Sequence, residues 1–247
     1  MACERGEVAR LTDGAIEKIR DLIRSGDLPP GSRLPPEQKL AEQLGLSRNS
    51  LREAVKALEM VRVLDSRPGD GTYVTSLAPR LLLEGFSSAI DLLQDDTLLE
   101  VMQIRLMLEP AATAAAVAHI TAERLRTLAD LLEKMRVTAD DAEQMVQYDI
   151  AFHRTIVAAN GNESLTSVLD GLSGRTTRAR VWRGLIEADA AALTLAEHQA
   201  IYDAVAAGDA DLARATALVH VNTSATWLQH VIRTRTATSG RVAGLQA

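Results

Sequence analysis

The sequence is poor in cysteine and in aromatic residues, and both deficits exclude classes of protein. The single cysteine, Cys3, lies in a polar N-terminal stretch and cannot form an internal disulfide, which excludes a disulfide-stabilised domain and fits a reducing compartment. Aromatic residues make up only 3% of the chain, so helix is favoured over sheet. No apolar run is long enough to span a bilayer, and no signal-peptide pattern opens the sequence. We therefore expect a cytoplasmic protein with no membrane segment.

The formal net charge of -6 is unevenly distributed over the 247 residues. Residues 1–79 carry 12 basic and 12 acidic side chains, so the whole acidic excess lies in the remainder of the chain. The first segment can therefore approach a polyanion without net repulsion of its own, and salt screens the repulsion from a more distant acidic domain.

The first 75 residues show the patterns of three helices followed by two strands. Helical spacing of isoleucines predicts a first helix in "AIEKIRDLIRSG", which the Pro/Gly loop "DLPPGSRLPP" ends. The segment "PEQKLAEQLG" predicts a second helix closed by Gly45, and Ser47 stands at the N-cap of a third helix that runs to about Val61. The segments "VRVLDS" and "GTYVTS" alternate like strands around the turn "RPGDG".

The rest of the chain is helical by pattern. Residues 76–80, "SLAPR", predict a linker, and nearly every segment from Leu81 to about Arg235 predicts a helix. Breaks are expected at "QDDT", "VTADD", "NGNES" and "AAGDAD", which gives six or seven helices. The predicted fold is mainly α: a winged helix-turn-helix over residues 1–75, an all-helical bundle over 81–237 and a loose tail over 238–247.

The polar face of the third predicted helix is basic and compact. Arg48, Asn49, Arg52 and Lys56 share one arc of the helix, which begins at the helix N-terminus, the end that reaches base edges in helix-turn-helix proteins. Arginine pairs with guanine and asparagine with adenine, while Ser47 and backbone N–H groups suit phosphate. The alternative is an ordinary solvated basic face.

The run "RLPPEQKLAEQLGLSRNSLREAVKALEMVRVLDSRPGDGTYV" resembles the signature of the GntR family of bacterial transcription regulators. The resemblance covers residues 10–75, and it implies a set of operator contacts: Arg33, Ser47, Arg48, Asn49, Arg52, and the wing residues Gly69 and Gly71. Gln38 stands where the family commonly has arginine, so the usual operator preference does not carry over directly. Glutamine can still bond a base, with a shorter reach and no charge.

Four side chains on three predicted helices suggest a metal site. The segment "YDIAFHR" places Asp149 and His153 four residues apart, on one helix face. The segments "AEHQAIYDAV" and "ALVHVNTS" contribute His198 and His220. One carboxylate and three imidazoles suit a divalent ion such as zinc or nickel. The alternative is a set of hydrogen-bonded histidines without a metal.

The helical half resembles the FCD effector-binding domain of FadR-type GntR proteins, in the patterns "D-x-x-x-H", "EH-x-A-I-x-D-A-V-x-x-GD" and a later histidine. The resemblance implies that the four side chains of the suggested metal site, Asp149, His153, His198 and His220, are metal ligands. The segment "IRLMLEP" resembles a motif whose arginine meets an effector carboxylate, which makes Arg105 a candidate anion clamp. Asn222 is a candidate contact for the effector or a bound water. His119 and His230 match no ligand position.

The sequence gives less support to other roles for the helical half. Four arginines between positions 175 and 183, together with Trp182, leave a nucleic-acid role open, but the acidic surroundings favour a helix face near an effector pocket or a dimer interface. A three-histidine, one-aspartate metal site could activate water. No nucleotide loop, nucleophile motif or additional general base accompanies it, so we do not expect an enzyme. A pure metal sensor, in which the ion is the signal, is a further alternative.

The sequence therefore predicts a homodimeric transcriptional regulator. One recognition helix per protomer is expected to bind each half of a palindromic operator in double-stranded DNA. A small organic acid, bound at a divalent metal in the helical domain, is expected to release repression.

Overall fold

A computed structural model describes residues 2–82 and 97–243 of the chain, with side chains over 11–82 and 97–234. The chain divides into two compact units, Met1–Ser88 and Ala89–Ala247. Each unit has its own buried apolar core. Over the described ranges, no helix combines the length and the apolar character needed to cross a membrane.

The N-terminal unit has the predicted order of helices and strands. The two strands of its hairpin are antiparallel, with Leu64 opposite Val74 and Arg67 opposite Gly71. The first helix begins earlier than its apolar pattern indicates, because no proline interrupts the preceding residues; Cys3 therefore lies in its first turn. The elements are α1 (Ala2–Ser25), α2 (Glu37–Leu44), α3 (Arg48–Met60), β1 (Leu64–Arg67) and β2 (Gly71–Val74).

The turn between α2 and α3 follows the predicted capping chemistry. Gly45 ends α2 in the left-handed conformation, with φ 61°, which glycine adopts without steric cost. The Ser47 hydroxyl accepts a hydrogen bond of 3.0 Å from the backbone N–H of Ser50 at the start of α3. Leu51 and Leu58, on the apolar face of α3, are buried in the core of this unit. The cap and this burial together fix which face of α3 remains exposed.

The loop before α2 runs alongside strand β2 and forms backbone hydrogen bonds with it. The backbone N–H of Leu34 donates to the carbonyl of Thr72 at 2.8 Å, and that of Val74 donates to the carbonyl of Ser32 at 2.8 Å. The Pro/Gly loop predicted from the sequence is therefore tied to β2, and it places Arg33 opposite Tyr73.

The described part of the second unit contains six α-helices. The predicted breaks at "VTADD", "NGNES" and "AAGDAD" each fall between two of them. The side chains of Thr121, Asp141 and Asn162 cap the N-termini of three helices. The helices are α4 (Thr97–Ala116), α5 (Ala122–Val137), α6 (Ala142–Val157), α7 (Glu163–Ile186), α8 (Ala190–Ala206) and α9 (Ala210–Ala243).

Three predicted boundaries differ from the structure or lie partly outside the described residues. The tail predicted to be loose from residue 238 is helical through Ala243, because no proline follows and the single Gly240 weakens a helix by only about 1 kcal/mol relative to alanine. Residues 244–247 and most of the break predicted at "QDDT" lie outside the described residues. Within the predicted linker 76–80, a helical turn begins at Pro79, a residue well suited to the first turn of a helix.

Phe152 connects the helical core to the histidines. Its side chain is fully buried on α6, in the largest apolar cluster of this unit. The ring centroid lies 4.9 Å from that of His198 and 5.6 Å from that of His153, with edge-to-face geometry in both cases. The apolar core therefore sets the position of two histidine rings.

Truncation of this ring should destabilise the helical unit strongly. We expect Phe152→Ala to lower the free energy of unfolding by ~3–5 kcal/mol, because it leaves a cavity in a closely packed core. Urea unfolding monitored by circular dichroism measures the change. Val137→Ala, at a side chain that is 76% exposed, is the control and should change the free energy by less than ~0.5 kcal/mol. An equal effect of the two substitutions would contradict the role of Phe152.

Candidate metal centre and nucleic-acid interface

Four buried side chains of the helical unit converge on one point. Asp149 and His153 lie one turn apart on α6, His198 lies on α8, and His220 lies on α9. One candidate ligand atom from each residue lies within 4.8 Å of all the others. All four side chains are buried. The structure thus brings together the residues that the sequence placed on three separate helices.

The distances within the cluster suit a shared cation. Asp149 Oδ1 lies 3.0 Å from the Nε2 atom of His198 and 3.8 Å from that of His153. The Nε2 atom of His220 lies 3.9 Å from the same oxygen and 3.1 Å from His153 Nε2. His198 Nε2 is buried, and its 3.0 Å approach to Asp149 Oδ1 lacks the geometry of a hydrogen bond, so this nitrogen has no hydrogen-bond partner among the described residues. A buried nitrogen without a partner is costly unless a ligand supplies one, so the donor set fits a metal ion.

Contacts outside the cluster orient two of the imidazoles. His198 Nδ1 lies 2.7 Å from the carbonyl oxygen of Thr194, and His220 Nδ1 lies 2.9 Å from Oε2 of Glu197. Both partners are acceptors, so each Nδ1 carries the proton and each Nε2 keeps its lone pair toward the centre. Glu197 is held in turn by the Thr223 hydroxyl at 2.6 Å. Sequence reasoning missed Glu197, although it directly precedes His198.

The environment favours the metal-binding protonation states. Burial opposes ionisation of Asp149, but the Arg180 guanidinium and the neighbouring histidines hold the pKa of its carboxyl well below the usual value. Burial and the nearby His220 lower the pKa of His153 well below its usual value. Burial and His198 lower the pKa of His220. An ionised carboxylate and neutral imidazoles are the forms that bind metal ions.

A cavity opens beside the cluster, and two arginines line it. Arg180 contacts Oδ2 of Asp149 and donates a 3.0 Å hydrogen bond to the carbonyl of Ser173. Arg183 donates to Oε2 of Glu187 at 2.9 Å. The remaining wall is mostly apolar or small, and the cavity also includes the polar groups of Asp149, His220, Thr194 and Ser224. Both arginines belong to the cluster at 175–183 that the sequence singled out.

The two effector-binding candidates lie away from this cavity wall. Arg105 is 1% exposed and forms a two-point ion pair with Glu109, at 2.7 Å and 3.1 Å, and a 2.7 Å hydrogen bond to the Thr176 hydroxyl. The i,i+4 spacing of Arg105 and Glu109 in "IRLMLEP" was the sequence signal for this internal pair. Asn222 is exposed on α9. Arg180 and Arg183 line the cavity and these two residues do not, and their predicted role as effector contacts stays a prediction.

The exposed face of α3 carries the predicted base-reading side chains. Arg48 and Asn49 are exposed in its first turn, next to the Ser47 cap. Arg52 is exposed one turn later, and its guanidinium pairs with Glu37 of α2 at 2.9 Å. Gln38 is exposed on α2 and donates to Glu42 at 3.2 Å.

Arg33 and the hairpin form the other side of a groove facing Arg52. The Arg33 guanidinium donates to the carbonyl of Asp70 and lies over Gly71, where an added Cβ would come within 2.5 Å of its Nε. Gly71 also has a φ of 145°, a conformation that favours glycine. Gly69, with φ 75°, shapes the turn of the same hairpin. Arg33, Arg52 and Gly71 line one groove, as a wing and a recognition helix would.

His119 and His230, which match no ligand pattern, are both exposed and lie outside the four-residue cluster. The structure thus separates these two histidines from the candidate ligands.

The two units match two family patterns. The FCD domain matches residues 100–223, and the family described as "Bacterial regulatory proteins, gntR family" matches residues 11–74. The first match spans the described helices that hold the candidate ligands, and the second spans the helices and hairpin of the N-terminal unit.

Several curated proteins and solved structures are similar over most of the chain. The HTH-type transcriptional regulator LutR of Bacillus subtilis is 30% identical over 206 residues, which cover 81% of this chain and 93% of LutR. The galactonate operon transcriptional repressor of Escherichia coli is 29% identical over 89% of this chain and 97% of its own length. A putative L-lactate dehydrogenase operon regulatory protein of Escherichia coli is 30% identical over 86% of this chain and 84% of its own length. The structure of a Streptococcus agalactiae GntR protein superposes with a TM-score of 0.59 at 26% identity, over 87% of this chain and 99% of that protein.

These matches join a winged helix-turn-helix to a helical effector domain in one chain. The chain therefore belongs to the GntR family of bacterial regulatory proteins, and it is a DNA-binding transcriptional regulator with an FCD domain rather than an enzyme.

Proposed function

We propose that this regulator represses its target operon and releases the operator when a small carboxylate binds at a divalent metal ion in the FCD domain. The observation that carries the proposal is the buried convergence of Asp149, His153, His198 and His220 beside a cavity lined by two arginines. The protein would act in the cytoplasm, where bacterial operator DNA lies.

The donor set favours zinc or nickel as the resident ion. One carboxylate oxygen and three imidazole nitrogens are ligands of intermediate softness, which both ions accept. His198 and His220 are held by outer contacts in the orientation that metal-binding histidines require. When bound, the ion supplies a Lewis-acidic position at which an oxygen of a small acid can attach.

The charge balance at the cavity favours an anionic effector. Arg180 pairs with Asp149 and Arg183 pairs with Glu187, so these charges compensate within the chain. A divalent ion adds two positive charges to a buried site, and an entering carboxylate offsets part of them. The names of two relatives refer to the L-lactate dehydrogenase and galactonate operons. Lactate and galactonate are both 2-hydroxy acids, whose adjacent hydroxyl and carboxylate can chelate one ion, and this supports a hydroxycarboxylate as the effector.

The DNA-binding half is proposed to act as a homodimer on a palindromic operator. The dimer would place one α3 helix in the major groove of each half-site, with Arg48, Asn49 and Arg52 toward the bases and the wing along the backbone. Ser47, Gln38, Arg33, Gly69 and Gly71 are the proposed supporting contacts. By linkage, an effector that lowers operator affinity must itself bind more weakly to the DNA-bound protein.

The proposal is tested by operator affinity in three states of the protein. An operator is first selected from random duplexes, and gel mobility shifts are then measured for metal-free protein, zinc-loaded protein, and zinc-loaded protein with acetate, L-lactate or galactonate. We expect a hydroxycarboxylate to weaken operator binding only when zinc is present, and acetate to act less strongly because it cannot chelate. A change caused by zinc alone would identify the ion as the signal, and no response to any carboxylate would leave the proposal without support.

Loss of one histidine should separate metal binding from DNA binding. We expect His198→Ala to lose stoichiometric zinc, because a ligand and its oriented imidazole disappear together. Elemental analysis of dialysed protein gives the zinc content, and the mobility shift of metal-free protein should match that of the wild type. His230→Ala, at an exposed histidine of α9, is the matched control and should retain zinc. Zinc retained by the His198 variant would contradict the proposed ligand set.

Arg52 should contribute to sequence-specific operator binding. We expect Arg52→Ala to weaken specific binding by ~1–3 kcal/mol and to relax selectivity at one base position. Fluorescence anisotropy with the selected operator and with single-base variants measures both effects. Arg24→Ala, at an exposed arginine of α1 that also pairs with an acid, is the control and should change neither. Unchanged operator affinity in the Arg52 variant would show that this face of α3 does not read DNA.

A further inference from the structure

Arg180 contacts the predicted metal ligands through a single carboxylate. One Nη atom contacts Oδ2 of Asp149, and the other donates to the carbonyl of Ser173 at 3.0 Å. Oδ1 of the same carboxylate faces the imidazoles, with His198 Nε2 at 3.0 Å. The two oxygens of Asp149 therefore have different partners, a cation on α7 and the histidine cluster.

The other arginines nearby do not share this dependence. Each has a carboxylate that is not a predicted metal ligand: Glu109 pairs with Arg105, and Glu187 pairs with Arg183. Arg180 instead takes its counter-charge from Asp149, the one carboxylate that the metal needs. Metal ion and guanidinium therefore compete for the charge of one buried group.

Because of this competition, metal binding would leave Arg180 with less counter-charge. Asp149 would share its negative charge with a divalent ion held by the cluster, so less of that charge would compensate Arg180, whose side chain is 11% exposed. Its Nε atom is already buried, and no described residue forms a hydrogen bond with it. A buried cation that loses part of its compensation is costly unless another anion approaches. Arg180 lines the cavity, so a carboxylate that enters the cavity can supply that charge through a charge-assisted hydrogen bond.

We infer that Arg180 couples the metal to the effector: it neutralises Asp149 in the metal-free protein and binds the effector carboxylate once the ion is in place. The inference rests on the proposed function for the metal site and for the chemical class of the effector. Without an effector, the charge of Arg180 opposes the entry of the ion. With an effector, this opposition is removed, so each ligand raises the affinity for the other by the same factor.

The zinc affinity of an uncharged variant tests whether the charge of Arg180 opposes metal binding when no effector is present. We expect Arg180→Gln to bind zinc at least ~10-fold more tightly than the wild type when no carboxylate is present, because glutamine can still donate to Asp149 but carries no charge. Competition with a chelating indicator dye gives the dissociation constant. If Arg180 served only to hold Asp149 in place, the variant would bind zinc ~10–100-fold more weakly, and that result would overturn the inference.

Two control variants separate charge from position. Arg180→Lys keeps the charge at the site and should leave the zinc affinity within about 3-fold of the wild type. Arg178→Gln makes the same chemical change at an exposed position of α7 and should have no effect. A zinc affinity raised equally in Arg178→Gln would show a general effect of net charge and would also overturn the inference.

A measurement on the wild type tests whether metal and effector strengthen each other's binding. This measurement does not depend on whether Arg180→Gln folds. Zinc affinity should rise in the presence of excess L-lactate, and the gain should be smaller in Arg180→Gln. Lactate that leaves the wild-type zinc affinity unchanged overturns the coupling. If the wild type and Arg180→Lys both fail to bind zinc, the metal centre of the proposed function and the coupling are both wrong. If both bind zinc and Arg180→Gln is no tighter, only the coupling fails.

Discussion

The helical unit depends on how it compensates one buried carboxylate. Asp149 is 3% exposed, and an ionised carboxylate at that depth is costly without opposite charge or hydrogen-bond donors. The opposite charge comes from Arg180 on α7, while His198 on α8 and His220 on α9 face the same carboxylate with their Nε2 atoms. The electrostatics of Asp149 therefore depend on how these three helices pack on α6. Phe152, packed against the rings of His198 and His153, joins this polar centre to the apolar core.

The same arrangement suits a site that responds to small acids. The outer contacts of His198 and His220 fix the imidazoles, whereas Arg180 is held by the carboxylate that a metal ion would share. Under the proposed function, one molecule bound beside these imidazoles would change the partner of Arg180 and so affect several helices at once. Allosteric control requires such a pair of arrangements with different ligand contacts.

In the N-terminal unit, arginines are also paired with acidic residues, but these pairs are exposed and therefore weaker. Arg52 pairs with Glu37, and Arg33 contacts Asp70, in positions that are more than a third exposed. Exposed ion pairs contribute only about 0–1 kcal/mol each, so DNA can displace these acids at small cost. The acids keep the net charge of residues 1–79 at zero, which limits non-specific attraction to phosphate and leaves discrimination to the base contacts.

The sequence alone determined the features that arise within a few residues along the chain. Helical periodicity, Gly45, the Ser47 cap and the two-residue alternation of the hairpin act through local backbone geometry, and the positions of these elements agree with the structure. The four candidate ligands were also identified from spacing and family resemblance. Tertiary structure alone decided the partners of the long polar side chains. An arginine reaches groups on whichever helix packs beside it, and that depends on the packing of distant segments. Arg180 on α7 therefore contacts Asp149 on α6 at the cavity, and Glu197 on α8 supports His220 on α9, contacts that no spacing within one helix indicates. The Arg105–Glu109 pair does have i,i+4 spacing, but only the tertiary structure shows that it is buried.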